Sequence, residues 1–348
     1  MKQLPQWHAL PKKQLFYAPL MLMILFMAGC SKNPEPPSVK VTKIASGLKA
    51  PMGIETDWKG NVWVAEQGTA NNDGKVVVIA PASIKGQEMM MTYDAIINLS
   101  SIKNALSGEP EGPAHLILDN GTLYILAGDF LYSVNVSSFK PGDKPIDAST
   151  LSHENIGSWV RSQKIVTPND SHPYNLIKCF DGSLYIVDAG ANAIIKRKSA
   201  GNYSVFAKFP DMKNPTPVGP PMIQSVPTGI IFDGASFLVS TLTGFPFLDK
   251  QAVIYKVSMS GKVSVYKDGL TTLTGITPGN LFDRVVLHYG SFGATGFVPN
   301  SGSLLSVNSN TVKVITTGLN MPAGIKQTGP QCWYVTSMGD GTLLKVSY

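Results

Sequence analysis

The stretch that decides the fold reads G-L-K-A-P-M-G-I (Gly47 to Ile54), then N-V-W-V-A-E-Q-G (Asn61 to Gly68), then G-K-V-V-V-I (Gly74 to Ile79). Each segment is a short run rich in β-branched and apolar residues, with glycine or another turn former at its ends. Runs of this kind are typical of β-strands joined by tight turns. A sheet of such strands cannot bury both of its faces alone, so it needs neighbouring sheets to pack against.

The same order of segments recurs five more times along the chain. The further copies begin at Gly108 to Gly112, His172 to Leu176, Ser225 to Ile230, Gly269 to Ile276, and Gly318 to Ile325. The copies are roughly 46 to 63 residues long, a period that fits a four-stranded propeller blade with loops of variable length. The sequence therefore predicts an all-β protein, a six-bladed β-propeller.

The two ends of the chain are expected to meet in the last blade. The segment V-K-V-T-K-I (Val39 to Ile44) matches the strands that precede later G-L turns, and the last copy supplies only three strands after Gly318. An N-terminal strand that closes the last blade would remove an open sheet edge. The least regular part, Lys140 to Pro168, is interpreted as a long insertion between blades two and three, and no sustained helical periodicity is visible after the N-terminal segment.

The N-terminal segment is typical of a lipoprotein signal peptide. Lysines precede an apolar run from Leu20 to Met27, which ends in M-A-G-C at Cys30. We expect residues 1–29 to be removed, Cys30 to be lipidated, and residues 30–38 to form a proline-rich tether for a propeller over residues 39–348. The alternative is an ordinary cleaved signal that leaves Cys30 free. Either form predicts export to the cell envelope, and Ser31 after the cysteine favours the outer membrane over the periplasmic side of the inner one.

Charge and cysteine content narrow the choice of partners. Three of the 29 basic residues lie in residues 1–29, which contain no acid, so 26 basic residues face 23 acidic ones in the rest of the chain. This near-neutral balance argues against nucleic acid, and we expect a monomer whose partner is a small molecule or an envelope protein. Cys179 and Cys332 fall in blades three and six, on opposite sides of the ring. A disulfide needs Cα atoms within about 7 Å, so both thiols are predicted to be unpaired.

A family resemblance rests on the fourth copy, S-V-P-T-G-I followed by T-L-T-G-F-P-F (Thr241 to Phe247) and A-V-I-Y-K-V. With P-Y-N (Pro173 to Asn175), D-A-G-A-N (Asp188 to Asn192) and the opening G-L-x-x-P-x-G-I, residues 39–348 resemble the ScyD/ScyE family of exported NHL-like propellers. The resemblance implies a six-bladed propeller of NHL/SMP-30 type and export. It implies no reaction.

One position per blade is a candidate for the functional surface. Counting three residues past the aromatic or apolar position of each second strand gives Glu66, Ala127, Asp188, Thr241, Tyr289 and Ser337. The two carboxylates could belong to a Ca²⁺ site, which needs several converging oxygen ligands. The alternative is that they accept hydrogen bonds from turn N–H groups.

The histidines near the repeat motifs are His115, His172 and His288. Each could act as a general base beside a carboxylate, or could simply be packed or cap a turn. Glu109 and Glu111 could line the channel mouth, although a solvated turn is the favoured interpretation. The residues predicted to bind ligand are Glu66, His115, His172, Asn175, Asp188, Asn192, Thr243, Phe245 and Phe247.

The segment Phe245-Pro246-Phe247, near the loop from Pro215 to Pro221, could form an apolar wall for a planar ligand. Alternatively these aromatic rings plug the contact between blades four and five. No catalytic motif is present. The leading hypothesis is therefore an envelope-anchored, ligand-binding or scaffold propeller. The alternative is a metal-dependent hydrolase or lactonase resembling the SMP-30 and strictosidine-synthase-like enzymes.

Overall fold

Six antiparallel sheets of the propeller type make up the computed structural model of the protein, which describes residues 38–84, 87–104 and 108–348. The predicted signal peptide, Cys30 and the tether up to Pro37 lie outside the described residues. None of the described helices is long and apolar enough to cross a membrane.

The strands of each blade are numbered one to four from the ring axis outward. Blade one consists of Pro51–Thr56, Val62–Glu66, Gly74–Ile84 and Gln87–Leu99. Blade two consists of Pro113–Asp119, Thr122–Ala127, Phe130–Asn135 and Ser152–Asn155. Blade three consists of Pro173–Lys178, Leu184–Asp188, Ala193–Ser199 and Asn202–Lys208. Blade four consists of Pro227–Phe232, Ser236–Thr241, Ala252–Ser258 and Val263–Leu270. Blade five consists of Leu273–Pro278, Arg284–His288, Gly302–Val307 and Val312–Leu319. Blade six consists of Pro322–Gly329, Cys332–Ser337, Thr342–Ser347 and Lys40–Ser46.

The ring is closed. The first strand of each blade contacts the first strand of the next, and the first strand of blade six contacts that of blade one. The N-terminal strand Lys40–Ser46 pairs antiparallel with Thr342–Ser347, with Lys40 opposite Ser347 and Ser46 opposite Thr342. The predicted six-bladed propeller and its closure by the N-terminal strand are both confirmed.

The segment Lys140 to Pro168 is not an insertion between blades, which corrects the sequence interpretation. It contributes Ile146–Asp147, a parallel fifth strand on blade one, and Ser152–Asn155, the fourth strand of blade two. It also contains a 3-10 helix (Ala148–Thr150) and an α-helix (Ile156–Ser162) that Asn155 caps by accepting from the Ser158 N–H. The segment was missed because the polar S-H-E-N strand has no alternating apolar pattern.

The core is divided into wedges between neighbouring blades. Alternate residues of one strand point to opposite faces of its sheet, so each second strand serves two wedges. In blade three, Tyr185 packs toward blade four against Phe237, whereas Ile186 packs toward blade two against Leu126. Each of the six blade contacts has its own cluster of buried apolar side chains in the described part of the chain.

The ring has two faces with different connections. The turn face carries the tight turns between first and second strands and between third and fourth strands. The loop face carries the loops that precede each first strand and those that join second to third strands. Backbone hydrogen bonds tie these two kinds of loop together, for example from the Gln67 N–H to the Ala50 carbonyl and from the Ala189 N–H to the His172 carbonyl.

Both described cysteines are unpaired, as predicted. Cys179 lies on the turn face of blade three and is buried, and Cys332 begins the second strand of blade six and is half-buried. Three further hairpins decorate the loop face. They are Ile102–Lys103 with Pro110–Glu111, Met212–Lys213 with Met222–Ile223, and Phe292–Gly293 with Gly296–Phe297.

Candidate functional site

The first strands start in nearly the same way in every blade. Five begin with proline, which is tolerated at the first position of a strand, and in all six the pairing register with the second strand shifts just after that residue. In four blades the third residue is glycine, namely Gly53, Gly229, Gly275 and Gly324. A Cβ atom at Gly324 would lie 2.2 Å from the Met52 carbonyl oxygen of blade one. The first strands of these blades therefore approach too closely for a side chain at this position.

Blades two and three break the pattern at this position. They carry His115 and Asn175 where the other blades have glycine. The residue before the first strand also differs. It has a positive φ in the other four blades, between 37° at Thr272 and 55° at Val226, but Gly112 and His172 do not. Two neighbouring blades thus give up the repeat geometry and place polar side chains near the ring axis.

These departures bring three rings together at the loop-face end of the channel. The ring of Tyr174, the second residue in the first strand of blade three, lies 5.3 Å from that of His115 and 6.1 Å from that of His172, measured between centroids. His115 comes from blade two and is buried. Its Nδ1 atom has no hydrogen-bond partner in the described structure. Two of the predicted ligand-binding residues therefore meet, with Tyr174 between them.

Glu111 completes this group from the hairpin that precedes blade two. Its Oε1 atom lies 3.5 Å from Nδ1 of His172 and accepts a hydrogen bond of 2.5 Å from Nδ2 of Asn104. Both side chains of the Glu111 and His172 pair are about 30% exposed, so the pair is open to a ligand. Glu111 therefore lines the channel mouth, which corrects the favoured interpretation of a solvated turn.

Tyr289 approaches the group from blade five. Its hydroxyl donates to the sulfur of Met338 in blade six over 3.4 Å, and its ring meets Phe297 edge-on at 4.7 Å. The phenol of Tyr289 also acts electrostatically on Tyr174, which links blade five to the residues from blades two and three. We call Glu111, His115, His172, Tyr174 and Tyr289 the mouth cluster.

The mouth cluster shifts the pKa values of its two histidines in opposite directions. Burial lowers the pKa of His115 to about 4, with only a hydrogen bond to the Tyr174 backbone opposing it, so this ring is neutral. Burial would also lower the pKa of His172, but the Glu111 carboxylate, with Asp188 and Asp170 behind it, raises that pKa above its ordinary value. The bond to His172 in turn lowers the pKa of Glu111.

Both tyrosines stay protonated. Burial and the neighbouring phenol of Tyr289 raise the pKa of Tyr174. Burial and the carboxylate of Glu109 raise the pKa of Tyr289 to about 12. The cluster therefore offers two phenolic hydroxyls, a neutral imidazole and an imidazole paired with a carboxylate, all of which can exchange hydrogen bonds with a ligand.

Other predicted residues support the cluster from below. Asp188 is fully buried and accepts hydrogen bonds from the His172 N–H, the Ser171 hydroxyl and the Ala191 N–H. Asp188 therefore follows the turn-acceptor interpretation and fixes the backbone that carries His172. Asn175 accepts from the Leu176 N–H. Asn192 ties blade three to blade four, because its side chain donates to the Phe209 carbonyl and accepts from the Val226 N–H.

Glu66 lies apart from the mouth cluster in blade one. Its side chain is buried, its Oε2 atom has no hydrogen-bond partner in the described residues, and the nearest cation is the Lys75 ammonium at 3.9 Å. Burial raises the pKa of Glu66 to about 6. No group of three or more His, Cys, Asp or Glu side chains in the described chain could hold a metal ion. Glu66 and Asp188 therefore belong to no such group.

The blade-five member of the equivalent positions is His288, not Tyr289. Glu66, Asp188 and Ser337 pair opposite the first residues of their first strands, and in blade five Leu273 pairs opposite His288. The count slipped because the strand R-V-V-L-H contains no aromatic residue to mark the reference position. The ring of His288 contacts the Ser303 hydroxyl through Nδ1 at 3.2 Å and does not belong to the mouth cluster.

The aromatic segment Phe245-Pro246-Phe247 packs between blades four and five, and two of its residues also line a surface cleft. Phe247 packs against Phe292 and Phe297 of blade five at 4.9 and 5.1 Å between ring centroids, so it fills the contact between blades four and five. Phe247 and Phe292, with Pro215 and Pro246, also line a surface cleft of about 360 Å³. Phe245 is half exposed, and Thr243 is buried beneath this segment with an unpartnered hydroxyl. Through Phe297 the aromatic group adjoins Tyr289 of the mouth cluster.

Sequence reasoning missed Glu111, Tyr174 and Tyr289 as members of one site. A signal for it was present, since H-L (His115-Leu116) and N-L (Asn175-Leu176) replace the G-I of the other four copies. The exchange marks the two blades in which a polar side chain replaces the glycine near the axis. The long-range meeting with blade five has no counterpart in any local pattern.

Comparisons with known proteins support the fold. No protein-family model and no curated protein sequence matches the chain. Among solved structures, the PQQ-bound form of an aldose sugar dehydrogenase from Streptomyces coelicolor superposes with a TM-score of 0.56 at 12% identity, covering 90% of this chain and 99% of that one. A luciferin-regenerating enzyme gives a TM-score of 0.55 at 9% identity, with coverage of 89% and 96%. Virginiamycin B lyase from Staphylococcus aureus gives 0.50 at 12% identity, with coverage of 89% and 100%. Identities this low show the fold alone.

Proposed function

We propose that this chain is a ScyD/ScyE-like, envelope-anchored β-propeller that binds a small ligand at its mouth cluster. The observation that carries the proposal is the break in the repeat at blades two and three. Four blades keep glycine near the axis, whereas these two place His115 and Asn175 there and bring His172 and Tyr174 beside them. Because the repeat pattern changes in only two neighbouring blades, the residues that replace it there are expected to serve something other than packing, such as ligand binding.

The chemistry of the cluster favours a planar ligand with hydroxyl or carbonyl groups. Tyr174 and Tyr289 supply aromatic surface with hydroxyls that remain protonated, and the unpartnered Nδ1 of buried His115 needs a hydrogen-bond partner. Leaving such a buried nitrogen unpaired costs stability, so a ligand that supplies the partner would recover that cost. The adjoining rings of Phe247 and Phe297 extend the aromatic wall.

A thermal-shift and calorimetric screen with small hydroxylated aromatic compounds tests this proposal. We expect His172→Ala and Tyr174→Phe to weaken the best-bound compound by about tenfold or more, because each removes a hydrogen-bonding group from the site. His153→Ala and Tyr266→Phe are matched controls, since both residues lie on fourth strands away from the mouth. Equal affinity in all four variants would place the ligand elsewhere, and no binding by any compound would reject the ligand class.

The anchor is a separate part of the proposal, because Cys30 lies outside the described residues. Cells given a fatty-acid analogue should label the wild-type protein and leave Cys30→Ala unlabelled. Equal labelling of both would reject the anchor without affecting the ligand site.

A second candidate function is a hydrolase or lyase, which one contact favours. The Glu111 carboxylate orients His172 through Nδ1 and holds a proton there, so Nε2 could exchange a proton with a substrate. This version of the hypothesis rests on Glu111 and His172 alone. Turnover of lactones that disappears in both His172→Ala and Glu111→Gln, with binding retained in the second, would favour the enzyme.

A further inference from the structure

The most exposed large apolar side chains of the described chain all lie on the turn face. They are Leu281 (93% exposed), Trp58 (90%), Phe282 (83%) and Phe180 (77%), and the next, Val314, is 62% exposed. Trp58 stands in the turn between the first and second strands of blade one, Phe180 in the same turn of blade three, and Leu281 with Phe282 in that of blade five. The exposure of these side chains is concentrated at one structural position.

The three turns alternate with three polar ones around the ring. The equivalent turns of blades two, four and six contain Asn120-Gly121, Asp233-Gly234-Ala235 and Pro330-Gln331. In a six-bladed ring, blades one, three and five are spaced by roughly 120°, so the apolar turns form three points of one plane. Three apolar points around a rim suit a broad, flat partner better than a small ligand or a single groove.

Exposed lysines surround these points. Lys59 lies over the ring of Trp58, with its Nζ atom 5.3 Å from the centroid. Lys198, Lys262 and Lys313 lie in or beside turns between third and fourth strands, and Lys40 begins the N-terminal strand on the same face. None of the ion pairs in the described residues involves any of these five lysines.

The carboxylates of the same turns are already engaged in hydrogen bonds within the protein. Asp57 accepts from the Lys59 and Asn61 N–H groups and from Trp63 Nε1, Asp233 accepts from the Ala235 and Ser236 N–H groups, and Asp283 accepts from Ser306 and Asn308. The turn face therefore presents apolar rings and ammonium groups outward. Aromatic side chains flanked by lysine are typical of protein surfaces that rest at the interface of an anionic bilayer.

The chain also enters the propeller at this face. Lys40 pairs opposite Ser347, which lies at the turn-face end of the last strand of blade six. The anchor proposed at Cys30 precedes Lys40 by ten residues, a length that spans about 30 Å or slightly more when fully extended. A lipid at Cys30 would hold the turn face, not the loop face, beside the membrane.

We infer that the turn face is a membrane-docking surface, with Trp58, Phe180, Leu281 and Phe282 inserting into the lipid headgroup region. This orientation points the mouth cluster away from the bilayer. The inference does not depend on the ligand of the mouth cluster, and it is testable without the lipid anchor. A lipidated Cys30 would carry two or more acyl chains, so the docking face would orient the propeller on the membrane rather than supply its anchor.

The test uses the chain from Ser31 to Tyr348, which contains all six blades and the closing strand but no acyl group. We expect it to co-sediment with vesicles of phosphatidylethanolamine and phosphatidylglycerol at 3:1, and more weakly with phosphatidylcholine alone. Changing Trp58, Phe180, Leu281 and Phe282 together to Ser should reduce the partition coefficient by more than tenfold. The matched control changes four half-exposed apolar residues of the loop face, Val218, Met222, Phe245 and Val298, to Ser and should bind as the wild type does.

Depth is measured by quenching with brominated lipids. Trp58 is the most exposed of the described tryptophans, Trp159 is half-buried at the loop face, and Trp63 and Trp333 are buried, so quenching should be strong in the wild type and largely lost in Trp58→Phe. Failure of the wild-type chain to bind vesicles, or equal binding by both serine variants, would overturn the inference. So would a wild-type dimer in sedimentation that becomes monomeric in the turn-face variant, because the partner of this face would then be a second copy of the chain.

Discussion

At the scale of single residues, the mouth cluster places two histidines beside one tyrosine ring and shifts their pKa values in opposite directions. His115 faces no carboxylate, so burial alone decides its charge, whereas His172 has Glu111 at 3.5 Å. Glu111, with the carboxylates of Asp188 and Asp170 behind it, is enough to reverse the sign of the pKa shift that burial causes. The pair therefore combines an imidazole that binds a proton less tightly than the free side chain with one that binds it more tightly.

Nuclear magnetic resonance of histidine-labelled protein can measure both charge states. We expect His115 to stay neutral down to a pH of about 4 and His172 to titrate above its ordinary value of 6.5. Glu111→Gln should lower the pKa of His172, because it removes the carboxylate that favours the protonated ring. A His172 pKa that is the same with and without Glu111 would contradict the described pairing.

Glu66 provides a second titration, which acts on stability. Its pKa is about 6 in the folded protein against 4.5 for the free side chain. The folded state therefore holds the proton more tightly, so the contribution to stability is present below pH 4.5 and is lost as pH rises through 6. The difference corresponds to about 2 kcal/mol.

Glu66→Gln should accordingly raise the melting temperature at pH 7.5 and leave it nearly unchanged at pH 4. The ion pair between Lys75 and Asp94, 2.8 Å long, does not involve Glu66, so the Lys75 ammonium should keep a charge partner in this variant. A variant that is less stable than the wild type at pH 7.5 would mean that the attraction between Glu66 and Lys75 outweighs the cost of burying the charge.

At the scale of elements, the repeat could be predicted from the sequence, but some of the places where the structure departs from it could not. The G-I pair and the strand after it recur with enough regularity to give the blade number, because a strand buried on both sides has to be apolar at each position. The fourth strand of blade two escaped detection since S-H-E-N has neither alternation nor β-branched residues. The meeting of Tyr289 with Tyr174 depends on loops that cross between blades, and no local pattern encodes such contacts.

The glycine near the axis is the element-scale feature most open to test. In blade six, Gly324 would place a Cβ atom 2.2 Å from the Met52 carbonyl oxygen and 3.0 Å from the Thr336 hydroxyl. The obstructing atom is backbone, so it cannot move aside without shifting the first strand of blade one. We expect Gly324→Ala to lower the free energy of unfolding by about 2–4 kcal/mol.

Gly329→Ala is the matched control for this change. Gly329 ends the same strand, and its added Cβ would meet only the Cβ of Cys332 at 3.9 Å, an ordinary contact. Denaturant unfolding of both variants should therefore separate them clearly. Similar stabilities would show that the first strands can move apart at the axis to accept a side chain. Glycine would then not be required at this position, and its replacement by His115 and Asn175 in blades two and three would carry less meaning.

At the scale of the whole molecule, the ring divides its tasks between two faces. The loop face gathers the mouth cluster and the aromatic cleft, and the turn face carries the exposed apolar turns and the entry of the chain. Both assignments depend on a closed ring, because an opened ring would shift blade six against blade one and with it the spacing of the three apolar turns. The stability of the closure therefore bears on every proposal above.

Closure is made by one strand from the opposite end of the chain. Lys40–Ser46 supplies the fourth strand of blade six, and Ile44 and Ala45 pack on the apolar cluster between blades six and one that contains Leu48 and Leu343. Without this strand the edge of Thr342–Ser347 would be unpaired, and part of that cluster would be open to water.

We expect deletion of residues 31–46 to lower the melting temperature on the order of 10 °C. Deletion of residues 31–37 should have little effect, because it leaves the strand in place. A peptide of residues 38–46 added to the longer deletion should restore part of the loss by pairing with the free edge. Equal melting temperatures for the two deletions would mean that the ring closes without its N-terminal strand, and that blade six is stable with three.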